Sequence, residues 1–158
     1  QKLLKRLTGE NILLHSQIGK TIIYKPNIYD DFVLSLLQYL LIEEVRPQKR
    51  WIREFSYLKN QTECTLLYGS IVKDAKNAHD IDIITVAQYE QIDEILSFFD
   101  HKQQNIAKPI HNIELTLKDF RNNLENKDKV VVNILYNGVV LFGQYQFVKV
   151  VKDFTRIP

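Results

Sequence analysis

The chain has 158 residues, of which 45% are hydrophobic and 25% are charged, a mix typical of one globular domain with at most a small appendage. No apolar run approaches the length of a membrane-spanning helix, and no signal-peptide pattern opens the sequence, so we expect a cytoplasmic protein without membrane contact. The single cysteine, Cys64, excludes an internal disulfide and indicates a buried thiol in a reducing compartment.

The net charge of +2 conceals an asymmetry along the chain. Residues 1–60 contain 10 Lys and Arg against 6 Asp and Glu, whereas residues 61–158 contain 11 against 13. Within the first 29 residues only Glu10 opposes five basic side chains, which are Lys2, Lys5, Arg6, Lys20 and Lys25. A basic end predicts contact with a polyanion such as a nucleic acid, and ordinary solubilising charge is the alternative.

The first predicted elements are a helix and a hairpin. Residues 2–8 read as the end of an amphipathic helix that Gly9 terminates. Two short strands follow, Asn11 to Ser16 and Thr21 to Lys25, with Gly19 as the turn residue between them. This segment therefore predicts a small helix–hairpin unit at the basic end of the chain.

Two helices are predicted next. Asp30 or Asp31 caps a helix that continues to about Val45, and Arg46-Pro47 ends it. A second helix covers about residues 48–59 and carries aromatic side chains at helical spacing, which indicates core packing.

Strands and helices then alternate to the end of the chain. Four strands are predicted at residues 65–68, 81–86, 112–117 and 139–142. Helices are predicted at residues 89–99, 119–126 and 129–136, the last of them in spite of three β-branched valines. The pattern predicts an α/β (α+β) fold, a small mixed β-sheet with flanking helices. We divide the chain into residues 1–29 (helix end and hairpin), 30–60 (connecting helices) and 61–158 (the α/β domain).

Two aspartates stand inside the apolar strand at residues 81–86. Asp80 and Asp82 are two residues apart, so a strand places both on one face while Ile81 and Ile83 are buried behind them. Two ionised carboxylates on a half-buried face repel each other, and a bound cation removes that cost. The pair therefore predicts a metal site.

Gly69 and Ser70 follow the preceding strand and complete the pattern. Glycine permits close approach of the backbone to a phosphate, and the Ser70 hydroxyl and a helix starting there can donate to phosphate oxygens. Hard oxygen ligands with phosphate favour Mg²⁺, or Mn²⁺, over zinc. Glu114 is the candidate third carboxylate, because it lies on the polar side of a neighbouring strand, and its alternative is a solvent-facing residue.

The stretch GSIVKDAKNAHDID, residues 69–82, resembles the signature of the DNA polymerase β-like nucleotidyltransferase superfamily, and most closely its minimal nucleotidyltransferases. The resemblance extends over roughly residues 60–145 and includes NGVVLFG at residues 137–143. It implies the nucleotidyltransferase fold, a nucleoside triphosphate as substrate and Mg²⁺ as cofactor. It also implies that Gly69 and Ser70 bind phosphates and that Asp80 and Asp82 hold the metal.

The resemblance also bears on Glu114, on the loop after Ser70 and on the N-terminal segment. It implies that Glu114 is the third acid, which activates the attacking hydroxyl. The loop after Ser70 carries Lys73-Asp74 where the family commonly has Arg-Gly, and Lys73 is a candidate phosphate contact with solvated charge as its alternative. The N-terminal segment is similar to the last helix and wing of a winged helix-turn-helix, as in the archaeal type of these proteins, and predicts a winged-helix remnant.

The sequence therefore predicts an Mg²⁺-dependent enzyme that transfers NMP from an NTP to a hydroxyl of a nucleic-acid, protein or small-molecule acceptor. One alternative is a catalytically weak nucleotide-binding module that partners a helical, toxin-like nuclease. Another is a DNA-binding regulator that senses a nucleotide. The corresponding partners are a helical protein, a nucleic acid bound by the basic N-terminal segment, and a second copy of the chain in a homodimer.

Overall fold

The computed structural model describes the backbone of residues 1–155 and the side chains of residues 1–153. The chain forms two compact units, Gln1–Leu40 and the residues from Leu41 onward, and their boundary falls within a helix. Each unit has elements of its own. None of the helices in the described part combines the length and the apolar character needed to cross a membrane.

The first unit begins with helix α1 (Lys2–Gly9), followed by strands β1 (Leu13–Ile18) and β2 (Thr21–Pro26). The two strands pair antiparallel, with Ile18 opposite Thr21, so the turn consists of Gly19 and Lys20. Gly19 has φ +59, which confirms its predicted role as the turn residue. Strand β1 starts and ends two residues later than predicted from the sequence, and β2 starts where predicted and ends one residue later.

The end of α1 differs from the sequence prediction. Gly9 is still helical, and Asn11, with φ 59, is the residue in the left-handed region. Asparagine tolerates this conformation because its short polar side chain bonds locally. The buried Asn27 side chain donates to the Asn11 carbonyl at 3.0 Å, and this contact ties the helix end to the end of the hairpin.

Helix α2 (Asp31–Val45) starts where the sequence predicts a cap. The Asp30 carboxylate accepts from the backbone N–H of Phe32 at 2.8 Å, which satisfies one of the free donors of the first turn. The predicted break at Arg46-Pro47 is confirmed, since a 3₁₀ turn covers Arg46–Gln48. The helix predicted at 48–59 is divided into α3 (Lys49–Glu54) and a 3₁₀ segment, Ser56–Asn60.

The remaining elements alternate as predicted, and the mixed α+β class is confirmed. They are β3 (Cys64–Tyr68), α4 (Ser70–Lys73), β4 (Ile81–Ala87), α5 (Ile92–Gln103), β5 (Ile110–Thr116), α6 (Leu117–Glu125), α7 (Lys129–Asn137), β6 (Val139–Phe142) and α8 (Gln144–Thr155). The sequence analysis contains no counterpart of α8.

The second unit is built on a four-stranded sheet in the order β5-β4-β3-β6. Strand β3 pairs antiparallel with both β4 and β6, whereas β4 and β5 run parallel. The helix α5 makes the crossover that two parallel neighbours require. As a result the ends of β3 and the starts of β4 and β5 meet at one edge of the sheet, which we call the β3-exit edge.

Each face of the sheet packs against different helices. The α3–α5 face buries Leu67, Ile81 and Ile83 against Trp51, Phe55, Ile95 and Phe99. The α6–α8 face buries Leu66, Ile84 and Val86 against Phe120, Leu124, Val131, Ile134 and Val150. Because successive strand residues alternate between these faces, position in the strand decides which set a side chain joins.

Helix α7 forms although three β-branched residues open it. The Asp128 carboxylate accepts from the backbone N–H groups of Val130 and Val131 at 2.9 and 3.1 Å, a strong N-cap. Val131 and Ile134 are buried in the α6–α8 core. Capping and burial outweigh the modest helix preference of valine, which confirms the predicted helix.

Candidate functional site

The turn after β3 brings the backbone against a carboxylate. Gly69 follows Tyr68 with φ +76 and ψ −158, a combination that is essentially restricted to glycine. A Cβ at this position would lie 2.2 Å from Oδ2 of Asp82. The Asp82 carboxylate therefore fills the space that glycine leaves open, where the sequence had predicted the approach of a phosphate.

Asp80 and Asp82 lie at the β3-exit edge, where β4 begins. Ile81 and Ile83 are fully buried on the α3–α5 face, so the two aspartates project toward the other face, as predicted. The Asp82 side chain is 21% exposed and that of Asp80 is 36% exposed. Both carboxylates are therefore partly desolvated and still open to solvent.

His111 is the third member of this group. In the parallel pairing of β4 with β5, His111 stands directly opposite Asp82 and shares its face. Its Nδ1 atom lies 3.4 Å from Oδ1 of Asp82 and 3.7 Å from Oδ2 of Asp80. One ligand atom from each of these three residues lies within 4.8 Å of the others, a spacing suited to a metal ion.

His111 was not predicted from the sequence as a ligand, because it shows no metal-ligand spacing along the chain. The available signal is positional: Asp82 is the second residue of β4, and His111 is the second residue of β5. Only a parallel pairing of these strands makes the two positions adjacent.

The electrostatics of the group favour a cation. Burial, and then the charge of Asp80, raise the pKa of Asp82, while the hydrogen bond and charge of His111 lower it in part. Burial and the same two carboxylates also raise the pKa of Tyr68, which stands opposite Asp82 on β3. The Tyr68 phenol therefore stays protonated beside the carboxylates, and a bound cation would stabilise their ionised forms.

Glu114 is not brought to this group, which corrects the prediction that it is a third metal ligand and base. In the β4–β5 register Glu114 stands opposite Thr85, on the α3–α5 face, whereas Asp82 and His111 are on the α6–α8 face. The Asn112 amide donates to Glu114 and lies next to Thr85 on that same face. A side chain on the opposite surface of a sheet cannot share a metal with Asp82.

Ser70 and Lys73 belong to α4, which is a single turn of helix starting at Ser70, as predicted. Both side chains are exposed. The buried Ile71 between them packs into the α3–α5 core and holds this turn at the sheet edge. Ser70 is therefore one residue from the glycine that faces Asp82, and Lys73 is at the far end of the turn.

The loop between α4 and β4 is organised by Asp74. Its carboxylate accepts from the backbone N–H of Lys76 at 3.1 Å and from the Asn77 side chain at 2.7 Å. The Asn77 hydrogen bonds hold the pKa of Asp74 below its usual value. On the other side of the loop, the Lys108 ammonium donates to the Ala78 carbonyl. Asp74 and Lys108 thus give this loop a defined shape.

A shallow groove of about 480 Å³ lies elsewhere on the second unit. Its lining includes Gln88 and Thr116, which stand at the ends of β4 and β5, together with Lys118 and Arg121 of α6. The three site residues Asp80, Asp82 and His111 lie at the starts of these strands. The groove therefore takes no part in the candidate metal site.

Comparison with known proteins found no matching family model, no matching curated protein and no matching solved structure. The features that bear on function are the Gly69-Ser70 turn, the paired aspartates Asp80 and Asp82, and His111, which the sheet brings to them.

Proposed function

We propose that this protein is a divalent-cation-dependent nucleotidyltransferase that transfers an NMP unit from an NTP to a hydroxyl and releases pyrophosphate. The observation that carries the proposal is the contact between Gly69 and the Asp82 carboxylate, with Asp80 on the same face. This contact supports the proposal because the Gly69-Ser70 turn, the candidate for phosphate binding, adjoins Asp82, a candidate metal ligand.

The residues fit a divalent cation with phosphate ligands. Asp80 and Asp82 offer two carboxylates at the start of β4, and the exposed Ser70 hydroxyl and the α4 backbone offer donors to phosphate oxygens. Mg²⁺ or Mn²⁺ held there would neutralise negative charge on the triphosphate and on the pyrophosphate leaving group. The exposed Lys73 adds positive charge on the same turn.

Positioning and electrostatic stabilisation are the main contributions that such a site makes to phosphoryl-group transfer. The rigid parts are the strand β4, anchored by the buried Ile81 and Ile83, and the Gly69 turn between two ordered elements. Glu114 takes no part in the chemistry because it lies on the opposite face of the sheet.

The test is transfer of label from α-³²P NTPs to RNA, protein and small-molecule acceptors with Mg²⁺ or Mn²⁺. We expect the wild-type protein to label an acceptor and the Asp80→Ala, Asp82→Ala double variant to lose labelling by at least a hundredfold, an estimate from the loss of charge stabilisation. The matched control is Glu114→Gln, which removes a carboxylate from the other face and should keep the activity. Equal labelling by the double variant, or none by the wild type with any acceptor class, would contradict the proposal.

A nucleic-acid-binding role is the second candidate, because the first unit pairs a helix with a hairpin and presents basic side chains. Lys2, Lys5, Arg6, Lys20 and Lys25 are all exposed. Phosphate contacts release counterions, so we expect DNA affinity to fall steeply with salt concentration. In gel-shift assays Lys20→Glu, Lys25→Glu should weaken binding and reduce the salt slope. The exposed Lys127→Glu of the second unit serves as the control, and the same loss there would argue against this role.

A further inference from the structure

We propose that Asp80, Asp82 and His111 form a mixed carboxylate–imidazole site that holds one first-row transition-metal ion in preference to Mg²⁺. The inference concerns the same site as the proposed function and deepens it by naming the class of metal. The sequence predicted three carboxylate ligands, and in the proposed site the third ligand is His111 of strand β5.

The geometry suits a single ion. Ligand atoms bound to one ion at about 2.2 Å are about 3.1–3.6 Å apart at the usual coordination angles. Nδ1 of His111 already lies 3.4 and 3.7 Å from the two carboxylate oxygens, and all three ligand atoms lie within 4.8 Å of one another, so side-chain shifts of about 1 Å bring them into one coordination sphere. Two carboxylates and a neutral imidazole carry a charge of −2, which balances one divalent ion and not two.

The imidazole decides the preference among metals. Mg²⁺ takes oxygen ligands almost exclusively, whereas Mn²⁺, Co²⁺ and Zn²⁺ also accept nitrogen ligands. Affinities for such ligands rise from manganese through cobalt to copper and fall again at zinc. A third carboxylate at the same place would keep the site an oxygen-only site. Because Glu114 lies on the other face, His111 is the group that completes the set.

A simple ion pair is the competing explanation for His111. Its side chain is 60% exposed, and exposed ion pairs contribute little to stability. The stability gained from an ion pair is therefore a weak explanation for the position of His111. The Asp82 carboxylate, in contrast, is fixed in the space beside Gly69. Among the described residues the His111 imidazole lies beside both aspartates, and no Lys or Arg lies within salt-bridge distance of them.

Metal binding without nucleotide tests the inference. We expect calorimetric titration to show at least tenfold tighter binding of Mn²⁺ and Co²⁺ than of Mg²⁺ to the wild-type protein. His111→Ala should weaken Mn²⁺ and Co²⁺ binding by at least tenfold, since even an outer-shell partner is worth about 10–100-fold. His111→Asp should restore binding and move the preference toward Mg²⁺. The control is His79→Ala, which removes the exposed histidine adjacent to Asp80 and should leave the preference unchanged.

A spectroscopic readout separates ligation from indirect effects. Pulsed EPR of bound Mn²⁺ should show ¹⁴N modulation from a coordinated imidazole, and this modulation should persist in His79→Ala and disappear in His111→Ala. Modulation that persists in His111→Ala, or equal affinity for Mg²⁺ and Mn²⁺ in the wild type, would overturn the inference. Because no NTP is present, these results are independent of nucleotidyl transfer: the metal preference can hold without transfer, and transfer can occur with an oxygen-only Mg²⁺ site.

Discussion

Gly69 links the two halves of the candidate site through its missing side chain. Its backbone angles, φ +76 and ψ −158, lie in a region that side-chain-bearing residues avoid, and the carboxylate of Asp82 fills the place of a Cβ. Glycine is therefore required for two reasons: the turn needs these backbone angles, and the Asp82 carboxylate needs the space of the missing Cβ. Gly19, with φ +59 and nothing within 4 Å of its hypothetical Cβ, has only the first requirement.

We expect Gly69→Ala to destabilise the protein more than Gly19→Ala and to weaken divalent-cation binding. The backbone conformation with positive φ alone costs about 1–3 kcal/mol for a residue with a side chain, and at Gly69 the Asp82 carboxylate must also move. Urea unfolding and Mn²⁺ titration of both variants measure the two effects. Unchanged cation affinity in Gly69→Ala would show that the position of the Asp82 carboxylate at Gly69 does not matter for binding.

Cys64 illustrates how burial controls a titratable group away from the site. It is 1% exposed in β3, and burial, with a smaller contribution from the charge of Glu63, raises its pKa to about 12. The thiol therefore stays protonated in the folded protein at neutral pH. Because only the thiolate is an effective nucleophile, Cys64 is unreactive there.

The Cys64 pKa predicts loss of stability in alkaline solution. As pH rises above 9, the unfolded thiol ionises while the folded thiol keeps its proton up to about pH 12. The unfolded state then binds fewer protons, so stability falls with pH, by up to about 1.4 kcal/mol per unit. Urea unfolding at pH 8 and 10.5 should show this loss in the wild type and a smaller one in Cys64→Ala. Identical pH slopes in both proteins would disprove the assignment.

At the scale of elements, the loop between α4 and β4 depends on one carboxylate. Asp74 accepts hydrogen bonds from the backbone N–H groups of Lys76 and Asn77, at 3.1 and 3.2 Å, and so closes the loop on itself. The loop connects the Gly69 turn to Asp80. Its shape is therefore set by a local side chain and by the Lys108 contact at Ala78.

We expect Asp74→Ala to speed hydrogen exchange at the Lys76 and Asn77 amides, because both lose their acceptor. Asp74→Asn keeps an oxygen at this position and should preserve most of the protection. Global stability should change by less than about 1 kcal/mol, since the loop is exposed. Native-state exchange followed by NMR measures the amides individually, and equal protection in all three proteins would mean that the backbone alone holds the loop.

At the scale of the whole molecule, the sheet separates two kinds of polar residue. Asp82 and His111 extend the α6–α8 face beyond its apolar core, whereas Thr85, Asn112 and Glu114 form a hydrogen-bonded group on the α3–α5 face. On the first face the carboxylates of Asp80 and Asp82 repel each other without a cation, whereas the second group is satisfied internally. A cation should therefore stabilise the fold through the first group alone.

We expect saturating Mn²⁺ to raise the melting temperature of the wild-type protein. A ligand at a hundred times its Kd adds about 2.7 kcal/mol, or roughly 5–10 °C for a chain of this size. Asp82→Asn should lose this gain. In EDTA at neutral pH the variant should be at least as stable as the wild type. The raised pKa of Asp82 means that folding disfavours its ionised form, so the charged carboxylate lowers the stability of the wild type above that pKa. A less stable Asp82→Asn protein in EDTA would refute this account.

Local features of the sequence were sufficient to predict most of the elements and two of the three residues of the candidate metal site. The periodicity of the hydrophobic residues and the helix-capping residues predicted β3, β4, β6 and the helices up to α7. The spacing of two residues between Asp80 and Asp82 predicted that both lie on one face of the strand. The helix α8 was missed because the prediction ended at Gly143, although Phe147 and Val150 repeat at helical spacing and pack on the α6–α8 core.

The third member of the site was decided by the tertiary structure. Glu114 and His111 both lie on β5, three residues apart, and therefore on opposite faces. Which of them meets Asp82 depends on the register between β4 and β5, and that register results from packing helices on both faces of the sheet. Alternation along one strand is a local property and can be read from sequence, whereas the pairing of residues 82 and 111 arises only when the chain folds.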